Sequence, residues 1–240
     1  MNNSALDVVV PVYNEEDVLE KNVLTVYKFL EKSVSIPWQI VIADNASTDR
    51  TLDIAKNLSK RYERIRYIHL DEKGRGRALK RAWSESSADI MCYTDVDLAY
   101  DLEALPRLIQ EIQKGHSIAT GNRYDNRSKM DRGLKRTILS YGYKTLARWI
   151  LKTQLHDFQG GIKAITKSVR AEVLPKVQDT KWFFDTELLV LAEKMGHPIV
   201  QIPVSCRQGK QTKVAIWSTV NDFLRNLFKL RSRLKAERLL

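Results

Sequence analysis

The sequence predicts an α/β fold in which a mostly parallel central sheet is flanked by helices and followed by an amphipathic C-terminal helix. Apolar runs of strand length alternate with stretches of helix length through the first half of the chain. That alternation implies parallel strands joined by right-handed crossovers. The apolar runs are nearly continuous, as expected of strands buried on both faces, and 240 residues are enough for one large α/β domain.

Four strands and three helices are predicted to alternate in the first half. The expected strands span residues 6–12, 38–43, 65–70 and 88–94. The expected helices span residues 16–32, the segment from an N-cap at Thr48 to Lys60, and residues 75–86. Each of the first three predicted strands is therefore followed by a helix that returns the chain to the edge of the sheet at which the strands begin.

The second half is less regular. Residues 122–152 are markedly basic, a short apolar run covers residues 162–165, and Trp182-Phe183-Phe184-Asp185 opens a leucine-rich helix. A further strand is expected at residues 199–204. We divide the chain into a domain of residues 1–213 and a C-terminal amphipathic basic helix of residues 214–240.

The last helix carries an apolar stripe at helical spacing among many basic residues. The stripe consists of Trp217, Val220, Phe223, Leu224, Leu227 and Phe228. Two interpretations stay open. The stripe packs on the domain or on a second subunit, or it lies in a membrane interface where its basic neighbours meet anionic headgroups.

Composition restricts the partners and the compartment. The formal net charge of +11 favours nucleotides, lipid phosphates, membrane surfaces or nucleic acid. Cys92 and Cys206 form no disulfide framework, and the four histidines lack metal-ligand spacing. The sequence begins without a signal-peptide pattern and contains no window of ~18 apolar residues. We therefore expect a protein that is soluble, or peripheral on the cytoplasmic face of a membrane.

Polar residues collect where the four predicted strands end. They are Pro11, Tyr13, Asn14 and Glu15, then Asp44, Asn45, Ser47 and Asp49, then Asp71, Glu72, Lys73 and Gly74, then Asp95 and Asp97. Ligands of open α/β sheets bind at this edge, beside a topological switch point. We therefore expect one binding site built from all four loops.

Asp95 and Asp97 are the strongest candidates for metal binding in that site. Two carboxylates that are separated by a single residue repel each other unless a cation compensates their charges. Oxygen ligands that leave room for substrate phosphates suit Mg²⁺ or Mn²⁺. The alternative is a pair that caps the following helix.

The loop Lys73-Gly74-Arg75-Gly76-Arg77-Ala78 lies between a strand and a helix. It has neither the Gly-x-Gly-x-x-Gly spacing of a dinucleotide fold nor the pattern of a Walker phosphate loop. A helix N-terminus flanked by Lys73 and Arg75 is expected to bind an anion. The alternative is that the glycines only allow the helix to start tightly.

The order of these segments resembles family 2 glycosyltransferases of the GT-A fold. The shared segments are Val9-Val10-Pro11-Val12-Tyr13-Asn14-Glu15-Glu16, Asp44-Asn45-Ala46-Ser47-Thr48-Asp49, Lys73-Gly74-Arg75-Gly76 and Asp95-Val96-Asp97. Later segments are similar to the branch of dolichyl-phosphate mannose and glucose synthases. They are Gly121-Asn122-Arg123-Tyr124, Gln159-Gly160-Gly161-Ile162-Lys163-Ala164, Phe184-Asp185-Thr186-Glu187 and Ile202-Pro203-Val204. The resemblance runs from about residue 8 to residue 214.

The resemblance implies an inverting, metal-dependent transfer of a hexose from a UDP- or GDP-sugar to a polyprenyl phosphate. The implied donor-binding residues are Pro11, Tyr13, Glu15, Asp44, Lys73, Asp95 and Asp97, with Asp95 and Asp97 holding Mg²⁺ or Mn²⁺. The implied acceptor-phosphate residues are Arg123, Arg136 and Arg207. The implied catalytic residues are Asp97, Asp185 and Arg207. A phosphate acceptor needs no general base, because its second pKa is about 6.

The sequence also departs from the pattern of that branch. Ala99 stands where mannose synthases usually have a glutamine, so a metal ligand is missing or supplied by water. Gly160-Gly161 replaces Cys-Gly. The Gln-x-x-Arg-Trp motif of processive synthases is absent, because Ala147-Arg148-Trp149 lacks the upstream glutamine.

Other functions stay open at this point. The acceptor could be a hydroxyl, with Asp185 as base, although Asp185 could equally be a helix N-cap. A nucleic-acid-binding protein is disfavoured because the acidic strand ends would repel a phosphate backbone. A sugar-nucleotide pyrophosphorylase would need a glycine- and arginine-rich first loop, whereas Tyr13-Asn14-Glu15-Glu16 is acidic. The choice of nucleotide, hexose and homo-oligomeric state is not determined by the sequence.

Overall fold

The computed structural model describes residues 4–130, 134–207 and 216–240, with side chains except those of residues 134–139 and 216–221. Its strands are β1 (Leu6–Val12), β2 (Trp38–Asn45), β3 (Ile65–Leu70), β4 (Ile90–Thr94), β5 (Ile118–Asn122), β6 (Lys129–Met130), β7 (Ile162–Thr166), β8 (Ile199–Pro203) and β9 (Ser205–Cys206). Its helices are α1 (Leu19–Ser33), α2 (Thr51–Arg61), α3 (Arg75–Ser84), α4 (Ala104–Gln113), α5 (Leu134–Leu151), α6 (Lys167–Glu172), α7 (Phe184–Lys194) and α8 (Ile216–Ala236).

Seven strands form the central sheet in the order β3-β2-β1-β4-β7-β5-β8. The pairs β1–β2, β2–β3, β1–β4 and β5–β8 are parallel, and β7 runs antiparallel to both of its neighbours. β6 and β9 form a separate short parallel ladder. Because the chain leaves β1 in one direction for β2 and β3 and returns on its other side to β4, the switch point lies between β1 and β4.

The central strands β1, β2 and β4 are almost fully buried, as their nearly continuous apolar sequences require, whereas the edge strands β3 and β8 are partly exposed. Val9, Val41 and Tyr93 face one layer, which includes α3, α5, α7 and α8. Val10 and Ile42 face the other layer, which includes α1, α2 and α4. The alternation of neighbouring residues between the two layers follows from the two-residue period of a strand.

The predicted α/β fold with a mostly parallel sheet is confirmed. The strands predicted at residues 6–12 and 65–70 have the observed bounds, and the ends of the other elements predicted in the first half differ from the observed ones by at most three residues. The predicted N-cap at Thr48 is wrong: α2 begins at Thr51, and the Thr48 hydroxyl accepts a hydrogen bond from Asn14 instead. The antiparallel direction of β7 was not predicted, because its pairing depends on the long connection through α5.

The C-terminal helix packs on the domain through its apolar side. Leu227, Leu230 and Leu234 are buried in the same core layer as α5 and α7. Phe223 contacts the rings of Tyr143 and Phe183 at centroid distances of 5.0 and 6.0 Å. The packing interpretation of the stripe therefore holds for Leu227 and Phe223.

Parts of the C-terminal predictions are not described by the structure. The side chains of Trp217 and Val220 and the proposed boundary at residues 213–214 lie outside the described residues. Phe228, another member of the stripe, is exposed. None of the helices in the described part of the chain is long and apolar enough to cross a bilayer.

Candidate active site

The four strand-end loops meet, as predicted, at the carboxyl edge of the sheet. The Asn14 amide donates to the Ser47 hydroxyl at 3.0 Å, which joins the loops after β1 and β2. The Gly74 amide donates to Asn45 Oδ1, which joins the loops after β2 and β3. Arg75 Nη2 donates to Asp95 Oδ1 at 2.8 Å, which joins the loops after β3 and β4.

Three of these loops contain residues in the left-handed region of backbone conformation. The φ angles are 52° at Asn14, 60° at Ala46 and 49° at Leu98. Non-glycine residues adopt this conformation at an energetic cost, and they concentrate where a site over-determines the backbone. Leu98 follows Asp97 directly, so the backbone strain lies beside the predicted metal ligands.

Asp95 and Asp97 are both accessible at this edge. Asp95 is partly exposed, whereas Asp97 is exposed and accepts a hydrogen bond from the Ala99 amide at 3.0 Å. Partial desolvation raises the pKa of Asp97, and the negative charge of Asp95 raises it further. A cation placed between the two carboxylates would relieve this repulsion.

Arg75 connects Asp95 to the buried Asp185. Its Nη1 donates to Asp185 Oδ2 at 2.7 Å, while Nη2 holds Asp95. Burial would lower the pKa of Arg75, but attraction by Asp95 and Asp185 raises it well above the usual value. The guanidinium also lies 4.8 Å from the Tyr93 ring centroid and 5.4 Å from that of Trp182. It is therefore a fixed cation inside the site.

Asp185 is 2% exposed and is surrounded by donors. Lys163 Nζ makes a short contact with Oδ1, and the Tyr93 hydroxyl lies 2.9 Å from the same oxygen. Burial would raise the pKa of Asp185, but Lys163 and Arg75 together hold it below the usual range. The N-cap interpretation of Asp185 is wrong, because Phe183 occupies that position of α7.

The expected anion site at the N-terminus of α3 is not available in this structure. The Gly76 and Arg77 amides donate to the carbonyls of Lys181 and Thr180 at 3.1 and 3.0 Å. A side chain on Gly74 or Gly76 would meet this loop, because its Cβ atom would fall 2.4 Å from Thr180 O at Gly74 and 2.6 Å from Phe184 Cβ at Gly76. The alternative interpretation is therefore correct: the glycines let the helix start against a neighbouring loop.

Asp44 is fully buried at the carboxyl end of β2. Its Oδ2 lies 2.6 Å from Nδ1 of His69. Its Oδ1 has no hydrogen-bond partner among the described residues. A buried carboxylate oxygen without a donor is costly, so this oxygen could accept a hydrogen bond from a ligand.

The remaining predicted donor-binding residues lie on the loops beside Asp44. Pro11 pairs with Ala43 in the β1–β2 ladder, one position before Asp44. The Lys73 ammonium lies 3.5 Å from the centroid of the Tyr13 ring, a cation–π contact between two loops. The Glu15 amide donates to the Thr51 hydroxyl at 2.8 Å. These four residues therefore lie on adjoining strand ends and loops, and their contacts with a donor stay predictions.

Arg123, one of the predicted acceptor arginines, forms a bidentate pair with a buried carboxylate. Its Nε and Nη2 each donate to one oxygen of the fully buried Asp157 at 2.7 Å. Burial would lower the pKa of Arg123, but Asp157 raises it well above the usual value. The bidentate pair uses two of the three guanidinium nitrogens, so Nη1 is the atom with which Arg123 could contact an anion.

For the other two predicted acceptor arginines, Arg207 and Arg136, no side-chain contact is described. The Arg207 amide donates to the Ala99 carbonyl at 2.9 Å, so its backbone lies beside the loop of Asp97, and the residue is exposed. The Arg136 side chain lies outside the described residues.

A divalent cation fits the surroundings of Asp95. A Cβ atom on Gly161 would lie 2.4 Å from Asp95 Oδ2, so the glycine keeps that oxygen accessible. No group of three side chains that could hold a metal occurs among the described residues. Two carboxylates are nevertheless sufficient for Mg²⁺, which usually keeps several waters and binds substrate phosphates.

Sequence reasoning missed three residues that build the site. Lys163 is fully buried, and its position inside the apolar run of residues 162–165 is a detectable signal of an internal ion pair. Tyr93 lies in the strand before Asp95 and gave no polar signal. Asp157, the partner of Arg123, is 34 residues distant in sequence and could not be paired without the fold.

Comparison with known proteins agrees with this geometry. The chain is 34% identical over 222 residues to glycosyltransferase AglD of Haloferax volcanii, which covers 91% of this chain and 35% of the relative. It is 28% identical over 229 residues to dolichyl-phosphate beta-glucosyltransferase of Mus musculus, covering 89% of this chain and 71% of the relative. The chain therefore spans only about a third of the length of AglD.

The fold is similar to that of glucosyl-3-phosphoglycerate synthase from Mycobacterium tuberculosis, solved with Mn²⁺, UDP and phosphoglyceric acid. The TM-score is 0.70 at 17% identity, covering 95% of this chain and 77% of the other. This similarity confirms the predicted GT-A fold. The family model of glycosyl transferase family 2 matches residues 7–174, well over half of the sequence. The chain belongs to glycosyltransferase family 2.

Proposed function

We propose that this enzyme transfers a hexose from a nucleoside diphosphate sugar to a polyprenyl phosphate, with inversion at the anomeric carbon. The observation that carries the proposal is the row of carboxylates along one sheet edge. It runs from the buried Asp44 Oδ1, which lacks a partner among the described residues, to the accessible Asp95 and Asp97. This row offers an acceptor for a nucleoside N–H or hydroxyl at one end and a cation site for a diphosphate at the other.

The donor side of the proposal assigns the loops after β1, β2 and β3 to the nucleotide. Asp44 accepts a hydrogen bond from the nucleoside, and Tyr13 and Lys73 form the adjoining wall. Pro11 and Glu15 shape the same loop. Asp95 and Asp97 hold Mg²⁺ or Mn²⁺, and the bound ion would stabilise the negative charge of the departing nucleoside diphosphate.

The surroundings of Asp185 support a phosphate acceptor. A hydroxyl acceptor needs a base to remove its proton, but both Asp185 oxygens face positively charged or hydroxyl donors. A phosphate monoester carries an ionised oxygen near neutral pH and needs no such base. Asp185 therefore acts by holding Arg75 against Asp95. That is a positioning role and differs from the base role considered from the sequence.

The acceptor phosphate is assigned to three arginines, of which Arg123 follows β5, on the other side of β4 from the nucleotide loops. Arg123, Arg207 and Arg136 would lower the repulsion between the acceptor and the donor diphosphate. An acceptor oxygen then attacks the anomeric carbon, and the bond from that carbon to the diphosphate breaks. The electron pair leaves with the nucleoside diphosphate, so no proton transfer is needed. The mouse relative is a dolichyl-phosphate beta-glucosyltransferase, which supports this acceptor class.

A transfer assay with matched variants tests the proposal. Radiolabelled UDP-glucose, UDP-galactose and GDP-mannose are each supplied with a polyprenyl phosphate, with and without Mn²⁺ or Mg²⁺. We expect labelled lipid with one donor and a loss of product on chelation. Asp97→Asn should reduce turnover at least a hundredfold, because a ligand and its charge are lost, while Asp101→Asn, in the same loop, serves as the control.

Two results would contradict the proposal. Labelled soluble glycan or protein without labelled lipid would indicate a hydroxyl acceptor. Full activity of Asp97→Asn, with the same metal requirement as the wild type, would remove Asp97 from the metal site. Circular dichroism of Asp97→Asn establishes that any loss is not due to unfolding.

A further inference from the structure

One exposed face of α5 carries aromatic and cationic side chains. Tyr141 is 48% exposed and Trp149 is 74% exposed. Arg148, Trp149 and Lys152 border one shallow surface cleft. Lys144 lies one turn before Arg148, and residues four apart are neighbours on a helix. We call these five residues the α5 face.

The cations of the α5 face have no carboxylate neighbours on their own helix. α5 contains no Asp or Glu in its 18 residues. In the described parts of the chain, Lys144, Arg148 and Lys152 form no ion pair. Burial lowers the pKa of Lys144, and repulsion by Arg148 lowers it further. Asp157 attracts Lys144 at longer range, but no carboxylate in these parts contacts the three cations, so their charge is available to an anionic partner.

The α5 face adjoins the proposed acceptor side of the active site. The Tyr141 ring packs edge-on against Tyr124 at a centroid distance of 4.9 Å. The Lys144 ammonium lies 4.4 Å from the centroid of the same Tyr124 ring. Tyr124 follows Arg123, the proposed acceptor-phosphate residue. From Tyr141 the face continues along α5 for about 12 Å to Trp149, at 1.5 Å per residue.

We propose that the α5 face docks the enzyme on an anionic lipid surface. Trp and Tyr favour the headgroup region, where one part of the ring is apolar and another is wet. The three cations would contact lipid phosphates, whose charge complements theirs. The purpose of this docking rests on the proposed function, because docking here would bring Arg123 to the surface in which a polyprenyl phosphate is anchored.

The α5 face accounts for lipid contact better than the apolar stripe of α8 does. Leu227, Leu230 and Leu234 are already buried against the domain, so they cannot enter a bilayer without unfolding that contact. Trp149 is exposed without any such rearrangement. Burying an exposed ring of this size gains free energy from area alone.

Vesicle flotation with the full chain tests the docking. Phosphatidylcholine vesicles with and without 30% phosphatidylglycerol, free of polyprenyl phosphate, are the probes. Binding should require the anionic lipid and weaken with added salt. Trp149→Ala should weaken binding about tenfold. The control Tyr67→Ala removes another partly exposed ring, on β3, and should have little effect.

A charge-matched pair of variants tests the cations. Arg148→Gln/Lys152→Gln should weaken binding about fivefold for each charge removed. Lys56→Gln/Lys60→Gln removes two charges at the same spacing on α2 and should leave binding within about twofold. Equal losses in the two pairs would show an effect of net charge alone and would overturn the proposal.

Other outcomes are equally decisive. The docking proposal would be overturned if Trp149→Ala and the double variant Arg148→Gln/Lys152→Gln bound vesicles as the wild type does. It would also be overturned if the wild type did not bind vesicles. Light scattering that shows a dimer dissociated by Trp149→Ala, with vesicle binding unchanged, would make the α5 face an interface between copies of the chain.

The transferase activity is measured separately, so that the two proposals can fail independently. With a short, water-soluble polyprenyl phosphate and no vesicles, the α5 variants should keep the wild-type rate. With a long-chain acceptor in anionic vesicles, they should lose rate in proportion to binding. A wild type that binds vesicles but transfers no sugar would refute the proposed function and leave the docking intact.

Discussion

Replacing Asp185 by asparagine tests whether this residue positions Arg75 or acts as a base. The substitution preserves the shape of the side chain and removes its charge. Lys163 is fully buried, and Arg75 donates to Asp185 at 2.7 Å. Without the carboxylate, the two buried cations face only Asp95, so the network changes from neutral to a net charge of +1.

The expected cost follows from this loss of compensation. Removing one partner of a buried ion pair destabilises a protein by about 3–5 kcal/mol. At about 2–4 °C per kcal/mol for a chain of this size, Tm should fall by roughly 10 °C. Lys163→Met in the Asp185→Asn background removes the uncompensated ammonium and should recover most of the loss.

Urea unfolding followed by circular dichroism measures the free energy of unfolding of the two single variants and the double variant. Asp53→Asn, an exposed carboxylate in the first turn of α2, is the control and should change it by less than about 1 kcal/mol. A loss below about 1 kcal/mol in Asp185→Asn, with transfer reduced a thousandfold, would refute positioning. It would indicate that Asp185 acts as a base.

Two further predictions concern other contacts of the site. Gly161→Ala places a Cβ 2.4 Å from Asp95 Oδ2 and should weaken Mn²⁺ binding, measured by electron paramagnetic resonance, at a stability cost of about 1–3 kcal/mol; Gly142→Ala, which meets no atom within 4 Å, should do neither. For the Arg123–Asp157 pair, the folded-state pKa of Asp157 lies below its usual value. Its contribution to stability is therefore full above about pH 4 and is lost as the pH falls through the folded-state pKa. As the pH is lowered from 7 to 3, the urea midpoint should fall less steeply in Asp157→Asn than in the wild type. Equal slopes in the two proteins would contradict the stabilising role of the Asp157 carboxylate.

The sequence predicted the layout of the first half with few errors. The apolar run at residues 6–12 matches its strand because a parallel strand buried on both faces is nearly continuous and needs no tertiary partner to be recognised. Residues 65–70 match an edge strand, in which buried and more exposed positions alternate instead. The meeting of the four polar loops also followed from sequence, since the carboxyl ends of parallel strands share one edge. The roles of Asp95 and Asp97 depend on local spacing and stay predictions.

The same reasoning failed where partners are distant along the chain. The α3 N-terminus has the sequence of an anion site, but carbonyls of Thr180 and Lys181 occupy its amides. The amides are occupied because the loop before α7 packs against α3, and these two segments are about a hundred residues apart in sequence. The fate of the α8 stripe was similarly undecided, because an amphipathic helix has the same pattern whether it packs on protein or on lipid.

By itself the sequence determined the fold class, the edge at which the four polar loops meet and the family to which the chain belongs. All three depend on local patterns: hydrophobic period, strand-end polarity and the order of motifs. The tertiary structure alone decided which charges are paired. It engages Asp185 with Lys163 and Arg75, and Arg123 with Asp157. Among the described residues it leaves Asp44 Oδ1 without a hydrogen-bond donor and the cations of the α5 face without an ion-pair partner. The physical reason is that charge pairing depends on distance and burial in space, to which spacing along the chain is no guide.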